Sequence, residues 1–416
     1  MNLPWSVGAR LRSDVWESVR MRLMFDCCKW DIQSEDHSVV ADFPLILEQE
    51  EWNSLAGYAE KLALEVLTAE RELLFRPDLH KILGLPESIC RVLRRCAPEK
   101  IATGAARVMR FDFHFTSEGW RISEVNADVP GGFIEASGFV ALMAEYYPDY
   151  SIPPNPAGAY VEAITAAAGE GAAIGLVHAT AHCDDRQVME YLAKGLQQRG
   201  MQAIVLSPNH LKWDSGFARI ASSFAAVKPA LLVRFFPAEW LPNLRPARSW
   251  EPWFCGGKTP TSNPGHAILI QSKRFPLIWN ELRTPLPTWR LLLPESKFPE
   301  EILPACNLWV LKPVFGRVGE DVAIAGITEQ RAYKEIVKDV KRHPNDWIAQ
   351  RRFDMLPLET HSGVRYPCLG IFTLDGRAVG VYGRIAAKPL IDQAAQDIAV
   401  LIRRKDHGEN DRTRTV

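Results

Sequence analysis

The sequence predicts a mixed α/β protein, because three stretches show three different periodicities. Residues 1–105 carry mainly helical spacing of apolar side chains, and residues 172–208 alternate strand, helix and strand. From Leu308 onward the pattern is that of β-hairpins with an intervening helix. With 416 residues, the chain can form two or three domains, or one elaborate fold with inserted lobes.

The N-terminal region is predicted to be a helical packing scaffold. In residues 50–74, apolar side chains recur at helical intervals: Trp52, Leu55, Leu62, Val66 and Leu73. A hairpin is predicted at residues 108–130. Two further helices, at residues 136–147 and 157–168, are separated by a proline-containing loop.

A βαβ unit is predicted next, with strands at 172–178 and 201–208 around a helix at 185–200. Residues 230–236 are expected to add a strand to the same parallel sheet. Asp184 or Asp185 would be the N-cap of the helix. No glycine fingerprint follows the first strand, which disfavours a Rossmann dehydrogenase.

The second half of the chain is predicted to start with a long proline-rich loop and a helix. The loop, residues 237–264, is long enough to be functional, and the helix ends near Thr284. The elements expected after it are a hairpin at 308–326, a helix at 330–343, a strand at 346–353, and a second hairpin turned by Asp375 and Gly376.

The hairpin at 108–130 concentrates polar groups on one face. If Ser117, Glu118 and Gly119 form a three-residue turn, Thr116 pairs with Trp120. The pairs that then face one another are Arg110 with Asn126 and Asp112 with Glu124, while Phe111, Phe113, Phe115 and Val125 fill the other face.

Two opposed carboxylates repel, and a bound cation would remove that cost. Oxygen ligands from Asp112, Glu124 and Asn126 suit Mg²⁺, and Arg110 would offer a fixed positive charge to a phosphoryl oxygen. A surface hairpin with ordinary salt bridges fits the same residues equally well, because both motifs are short.

A glycine-containing turn follows the strand that ends at Lys312. Gly316 and Gly319 would let the backbone approach phosphate oxygens, and Lys312 and Arg317 would add positive charge. The spacing is neither that of a P-loop nor that of a dinucleotide fingerprint, so a plain hairpin turn is the simpler alternative. The basic pair favours a flap over a nucleotide.

Nine short motifs between residues 108 and 384 occur in an order that resembles the synthetase domain of glutathionylspermidine synthases. They are VMRFDF, SEVNADVP, PAEW, SKRFPLIWNEL, LLPE, LKPVFGRVGEDV, IAQRRF, CLGIF and GVYGR. The resemblance implies an ATP-grasp fold with a pre-ATP-grasp α/β domain and a helical N-terminal region. The implied divisions are residues 1–105 (helical), 106–170 (hairpin and helices), 171–265 (pre-ATP-grasp), 266–404 (nucleotide-binding lobes) and 405–416 (tail).

The resemblance also implies an ATP-dependent carboxylate-amine ligase that releases ADP and phosphate, with a small acid or peptide and an amine as substrates. Asp112, Glu124 and Asn126 would bind Mg²⁺, and Arg110 and Arg384 would be catalytic. The residues implied to hold ATP are Lys273, Lys312, Gly316, Arg317, Gly319, Gln350 and Arg351, with Arg352 on the same strand.

This sequence departs from the family pattern near the phosphates. Val318 replaces an acidic residue of the glycine loop, and Arg384 is followed by Ile385 where the family has an acid. The family's usual ending is also missing. A catalytically degenerate protein that binds a nucleotide or peptide is therefore the main alternative. No cysteine amidase domain is visible.

A metal-dependent hydrolase is a further alternative, from a different class. His178, His182, Cys183 and Asp184 follow a predicted strand and could bind a metal ion. Polar capping residues at the start of a helix explain the same stretch more simply.

Composition limits the partners and the compartment. The formal net charge of -1 gives no general attraction for nucleic acid or anionic membranes. The first thirty residues lack the apolar core of a signal peptide, so a cytoplasmic location is expected. The eight cysteines show no C-x-x-C pair and are predicted to be buried thiols, in neither disulfides nor a zinc cluster. The oligomeric state stays open.

Overall fold

Helices and strands alternate along the chain, with the longer helices mostly in its first half. The computed structural model describes residues 3–34, 37–97, 105–221, 227–245, 249–302, 306–317 and 319–404. Its α-helices are α1 (Ser13–Asp26), α2 (Gln49–Leu74), α3 (Glu87–Arg95), α4 (Val140–Ala144), α5 (Pro156–Ala168), α6 (Cys183–Gln198), α7 (Ile268–Gln271), α8 (Pro287–Leu292), α9 (Pro299–Ile302) and α10 (Gln330–Arg342). A π-helix, Glu135–Phe139, leads directly into α4.

The strands form several separate sheets. They are β1 (Trp5–Val7), β2 (Gln33–Ser34), β3 (His37–Ser38), β4 (Leu45–Leu47), β5 (Val108–Thr116), β6 (Gly119–Asn126), β7 (Tyr150–Ser151), β8 (Ala173–His178), β9 (Gln202–Leu206), β10 (Leu211–Asp214), β11 (Phe217–Ile220), β12 (Leu231–Phe235), β13 (Thr261–Ser262), β14 (Ser296–Lys297), β15 (Trp309–Pro313), β16 (Ala323–Ile324), β17 (Trp347–Arg351), β18 (Leu358–Thr360), β19 (Gly363–Leu374), β20 (Arg377–Ala386), β21 (Gln396–Ile398) and β22 (Val400–Arg403).

The central sheet joins the two predicted hairpins in the order β21-β20-β19-β5-β6, with β18 also paired to β19. Side chains alternate between its faces. Phe111 and Phe113 are fully buried on one face, where the ring of Phe111 meets Trp289 of α8 edge-on. The long helix α2 packs against β19 and β20. The predicted apolar face is confirmed, and the opposite face is left for polar side chains.

A second sheet contains the predicted βαβ unit. Its order is β13-β12-β8-β9, and every pair in it is parallel. The predicted βαβ unit is confirmed, because β8 and β9 pair in parallel and helix α6 packs on both. The N-cap of α6 is His182, without a side-chain cap, so the prediction of an aspartate cap is wrong. Asp184 and Asp185 lie in the first turn, where carboxylates favourably meet the positive end of the helix dipole.

A third sheet, β14-β17-β15-β16, forms a lobe with α10. Trp309 and Leu311 of β15 pack with Trp347 of β17 and Val340 of α10 in a small apolar core. The predicted hairpin of β15 and β16 is present, but β16 has only two residues. The lobe therefore has a core separate from the central sheet.

The N-terminal region contains the expected helices, α1 to α3, and the short strands β1 to β4 besides. The fourth sheet has the order β1-β4-β22-β7, in which β22, near the C-terminus, runs parallel to β4. Residues of β4 are completely buried. Strands of three residues are too short to show a usable periodicity, and β4 has a partner, β22, that lies more than 350 residues away along the chain.

The predicted helix ending near Thr284 is broken in two. Helix α7 stops at Gln271, and a 3₁₀ segment occupies Phe275–Glu281. Pro276 disfavours helical geometry at the residue before it, and it lacks an N–H. In the break, the Ser272 hydroxyl donates to Leu83 O at 2.5 Å, and the Lys273 N–H donates to Val314 O at 3.2 Å. Lys273 thus lies at a fixed bend beside β15.

Cysteine chemistry differs from the prediction. Cys96, at the end of α3, forms a disulfide with Cys255, and their Cα atoms are 5.7 Å apart. Sequence spacing could not indicate this pair because 159 positions separate the two residues. Cys27, Cys90 and Cys368 are buried thiols, but the Cys183 thiol is exposed, and Cys28 is half-buried.

The largest apolar cluster crosses the predicted domain boundaries. It includes Leu62 of α2, Phe111 of β5, Leu232 of β12 and Ile371 of β19. The boundaries themselves stay predictions. Among the described residues, no helix has both the length and the apolar character that a membrane span requires.

Candidate active site

The polar face of the β5–β6 hairpin has the predicted pairs at its open end. Arg110 faces Asn126, and Asp112 faces Glu124. The predicted turn is nevertheless wrong, because Thr116 pairs with Gly119 across a two-residue turn. Gly119 does have the expected left-handed backbone, with φ 87°.

A β-bulge explains why the pairs at the open end are as predicted although the turn is one residue shorter. The ladder shifts between Asp112 and Phe113, and Ser123 is the extra residue. Bulges often lie next to active sites, where they redirect a side chain or carbonyl. Here the Ser123 carbonyl accepts from Lys312 Nζ at 3.2 Å, and its hydroxyl contacts His114 Nε2 at 3.0 Å.

Arg110 and Asp112 form a salt bridge with two hydrogen bonds. Arg110 Nε donates to Asp112 Oδ1 at 2.7 Å and Nη2 donates to Oδ2 at 2.9 Å. Arg110 Nη1 donates to the Gly131 carbonyl at 2.6 Å, and Asn126 Nδ2 donates to Asp112 Oδ2 at 3.1 Å. Burial alone would lower the pKa of Arg110, but Asp112 raises it, so the guanidinium stays charged.

Glu124 belongs to a separate cluster with two lysines. Lys273 Nζ lies 2.9 Å from Glu124 Oε2 and donates to the Gly316 carbonyl at 2.6 Å. Burial alone would raise the pKa of Glu124, but the ammonium groups of Lys273 and Lys312 lower it to about 2. Burial also lowers the pKa of Lys312 to about 8, with Lys273 acting in the same direction and Glu124 opposing it.

Both lysines line a pocket between the central sheet and the β15–β17 lobe. Its polar side chains include Glu124 and Gln350, and Gln350 Oε1 accepts from Lys312 Nζ at 2.7 Å. The apolar lining comes from Val125, Ile270, Phe275, Pro276, Trp289, Leu293 and Ile348. An apolar cavity with a few convergent charged groups is typical of a ligand site.

Gln350 and Arg351 of β17 point in opposite directions, as strand alternation requires. Gln350 is buried beside Lys312, whereas Arg351 is exposed and lies 3.7 Å from Glu295. Arg352 donates to the Ala325 carbonyl. The structure therefore brings Gln350, but not the side chains of Arg351 and Arg352, into the pocket lining.

The glycine turn lies close to the pocket, but Arg317 is bound elsewhere. Its guanidinium lies 2.8 Å from Glu239 and 3.7 Å from Asp128, over the Trp240 ring. Gly319 has a left-handed backbone, with φ 70°, and packs tightly against the Ile391 carbonyl. Val318 lies outside the described residues.

Arg384 lies on the same sheet face as Asp112, two strands away. Across β5, β19 and β20, the register places Gly370 between Asp112 and Tyr382, and Cys368 opposite Arg384. Arg384 Nη2 donates to the Asp392 carbonyl at 2.7 Å, and its Nε lies 3.9 Å from Asp397 Oδ1. Burial alone would lower the pKa of Arg384, but Tyr382 and Asp397 raise it.

The alternative metal site of a hydrolase is not formed. His178 is buried at the end of β8, the ring of His182 stacks on Trp240, and Cys183 is exposed. In the parts of the chain that the structure describes, no group of three or more His, Cys, Asp or Glu side chains could hold a metal ion. The Mg²⁺ ligands predicted from the sequence, Asp112, Glu124 and Asn126, are a different set, because one of them is an amide.

Several residues of this face were missed by sequence reasoning. Ser123 is visible only through the bulge, and Asp397 comes from a strand of three residues. Tyr382 lies in the quoted motif GVYGR but gave no sign of its contact with Arg110. Gly370 could have been found, because an interior strand glycine often marks a close approach.

Comparison with known proteins identifies the family of the chain. A family model described as glutathionylspermidine synthase preATP-grasp matches residues 28–403. The chain belongs to the glutathionylspermidine synthase family. The recognition made from the nine motifs is thus confirmed. A search of curated protein sequences finds no match.

Solved structures include a similar overall fold. A glutathione synthetase-like effector (GSS30) from Globodera pallida, in its apo form, has a TM-score of 0.64 at 11% identity. The match covers 95% of this chain and 98% of that chain. A putative gamma-glutamylcysteine synthetase from Methylobacillus flagellatus has a TM-score of 0.42 at 12% identity, covering 81% and 88% of the two chains. The predicted ATP-grasp fold with its pre-ATP-grasp domain is confirmed.

Proposed function

We propose that the chain is an ATP-dependent carboxylate-amine ligase that forms an amide through an acyl phosphate and releases ADP and phosphate. The observation that carries the proposal is the pocket in which Lys273, Lys312 and Gln350 meet Glu124 of the hairpin. The two ammonium groups suit the phosphates of a nucleotide, and the apolar lining of the pocket suits its base. Membership in a family of synthases supports the same conclusion.

Asp112, Glu124 and Asn126 fit a Mg²⁺ ion by their chemistry. Each offers an oxygen ligand from the open end of the hairpin, where Asp112 pairs with Glu124 and Asn126 is two residues further along β6, and hard ions prefer such ligands. Arg110 and Lys273 neutralise the two carboxylates in the structure, which are therefore not left as unpaired charges. When bound, Mg²⁺ would offset negative charge on the nucleotide phosphates.

The reaction proposed here consists of two displacements. A carboxylate oxygen of the acid attacks the γ-phosphorus of ATP, and the bond between that phosphorus and the ADP oxygen breaks. The amine nitrogen then attacks the acyl carbon, loses a proton and expels phosphate. Lys273 and Lys312 would hold the phosphates, while Arg110 and Arg384 would stabilise the transferring group.

The glycine turn would lie over the same phosphates. Gly316 already accepts from Lys273 through its carbonyl, which places the turn beside one phosphate-binding group. To contact the nucleotide, Arg317 would exchange Glu239 and Asp128 for a phosphate when ATP binds. Arg351 would act through its backbone, because its side chain is exposed.

An ADP-release screen tests this function. Small acids and peptides are paired with polyamines and amino acids, and products are identified by mass spectrometry. We expect Mg²⁺-dependent ADP release with a matching amide, and a loss of 10²- to 10³-fold on Asp112→Asn. Asp214→Asn, at an exposed ion pair, is the matched control. Equal turnover of Asp112→Asn and the wild type would exclude this site.

The second candidate is a degenerate protein of the same fold that binds a nucleotide or peptide without catalysis. The observation that favours it is that Asp112 and Glu124 both already have cationic partners. In that case Mg·ATP would raise the melting temperature, yet no pair of acid and amine would release ADP.

We propose small-molecule partners and a cytoplasmic location, where ATP is available. Because thiols are kept reduced in the cytoplasm, this location requires Cys96 and Cys255, which form a disulfide in the structure, to be thiols in the cell. Trapping thiols in intact cells with an alkylating reagent distinguishes a reducing location from an oxidising one. Alkylated Cys96 and Cys255 would support the cytoplasm, and protected cysteines would contradict it.

A further inference from the structure

Arg110 rests on an aromatic ring as well as on Asp112. The guanidinium carbon of Arg110 lies 5.1 Å from the centroid of the Tyr382 ring. Arg110 belongs to β5 and Tyr382 to β20, with β19 between them. To bridge this distance, the side chain of Arg110 must cross the intervening strand.

Gly370 makes that crossing possible. It pairs with Asp112 on one side and with Tyr382 on the other. A Cβ atom at Gly370 would lie only 2.6 Å from Arg110 Cδ and 2.8 Å from its Nε. The absence of a side chain at this position is therefore what lets the guanidinium reach the ring.

The Tyr382 ring is itself fixed from two directions. Its hydroxyl donates to Asp397 Oδ1. On another side the backbone of Gly132 approaches so closely that a Cβ there would lie 2.8 Å from the ring. A ring held by its hydroxyl and by backbone contact cannot tilt without breaking one of these contacts.

Asp397 is anchored by charge and by its own backbone. Its carboxylate lies 3.4 Å from Lys29 Nζ, and Lys29 also pairs with Glu135 at 2.6 Å. The Asp397 N–H donates to Val39 O and its carbonyl accepts from the Ala41 N–H, both at 2.8 Å. The support behind Tyr382 thus extends from the sheet into the N-terminal segment.

We propose that Tyr382 is a positioning residue, whose ring holds the guanidinium of Arg110 in place to contact a transferring phosphoryl group. The inference rests on the proposed function. A cation keeps its attraction to a ring only while it stays over the ring face, within about 6 Å of the centroid, and Arg110 meets this condition at 5.1 Å. Arg110 could then exchange Asp112 for phosphoryl oxygens without leaving its platform.

The test compares two probes of the nucleotide site. Mg·AMP-PNP represents the ground state, and Mg·ADP with fluoroaluminate represents the transferring phosphoryl group. We expect Tyr382→Leu to bind Mg·AMP-PNP like the wild type but to lose about 10- to 30-fold in affinity for the fluoroaluminate complex. Tyr382→Phe keeps the ring and should recover most of that loss.

Tyr160→Phe is the matched control, because Tyr160 is also buried and its hydroxyl bonds to Ser262 at 2.7 Å. It should leave the ratio of the two affinities unchanged. If Tyr382→Leu left the ratio of the two affinities at its wild-type value, the inference about Tyr382 would be overturned, while the proposed function would stand. If the wild type bound neither probe, the proposed function would fall and this inference with it.

Discussion

Lys312 is a buried ammonium group with two acceptors, the Ser123 carbonyl and Gln350 Oε1. Its position at the end of β15 was predicted from the apolar strand before it. The pairing with Gln350 was not predicted, because it depends on the register of β15 with β17. Two buried lysines near one carboxylate leave positive charge that an anionic ligand would neutralise.

The lowered pKa of Lys312 gives a signed pH dependence. Below pH 8 the free protein carries the charged ammonium, and above it the charge is lost, so Mg·ATP must bind together with a proton. We expect the Kd for Mg·ATP to rise above pH 8 by up to tenfold per pH unit. Calorimetric titrations between pH 7 and about pH 9.5 measure it.

Lys312→Arg is the control for this prediction, because arginine stays charged throughout that range. Its Kd should change little with pH relative to the wild type. A wild-type Kd that is flat across the range would contradict the assignment of Lys312 as a phosphate-binding group.

The glycine turn between β15 and β16 is fixed by a close backbone contact. A Cβ at Gly319 would lie 2.3 Å from the Ile391 carbonyl oxygen, in a segment whose Asp392 carbonyl accepts from Arg384. Gln393 also donates to Glu320 at 2.7 Å. The turn and the segment after β20 therefore pack together beside the candidate site.

Gly319→Ala should combine a left-handed backbone penalty with this clash. We expect a loss of about 2 to 3 kcal/mol in the free energy of unfolding, from urea titration. Gly326→Ala, also left-handed but facing open space, isolates the backbone term and should cost about 1 kcal/mol. Equal losses in the two variants would show that the packing against Ile391 does not form.

The whole chain is joined by contacts that are remote in sequence. Strand β22 closes the N-terminal sheet, and the Cys96–Cys255 disulfide links the end of α3 to the long loop after β12. In the loop-entropy model, a cross-link between residues 159 positions apart strongly restricts the unfolded chain.

Removing the disulfide should therefore destabilise the protein. We expect Cys96→Ser combined with Cys255→Ser to lower the free energy of unfolding by about 2 to 5 kcal/mol under non-reducing conditions. Cys183→Ser removes an exposed thiol and should have little effect. An unchanged urea midpoint in the double variant would contradict a stabilising disulfide.

The long elements of the fold were predictable, because α2, β5, β19 and β20 have enough residues for a clear periodicity. Short strands such as β1 and β4 were not, since their pairing is set by distant residues. In the site, the pair of Asp112 with Glu124 was predicted correctly, although the turn that implied it was wrong and Ser123 restores the register. The contact between Arg110 and the Tyr382 ring could be found only from the tertiary structure.

Binding of Mg·ATP to the Lys312 pocket tests the central claim most directly. Isothermal titration of the wild type, Lys312→Ala and Lys338→Ala compares the pocket with an exposed lysine on α10. We expect the wild type and Lys338→Ala to bind equally, and Lys312→Ala to bind about 10- to 100-fold more weakly. No binding by the wild type, or undiminished binding by Lys312→Ala, would contradict the account.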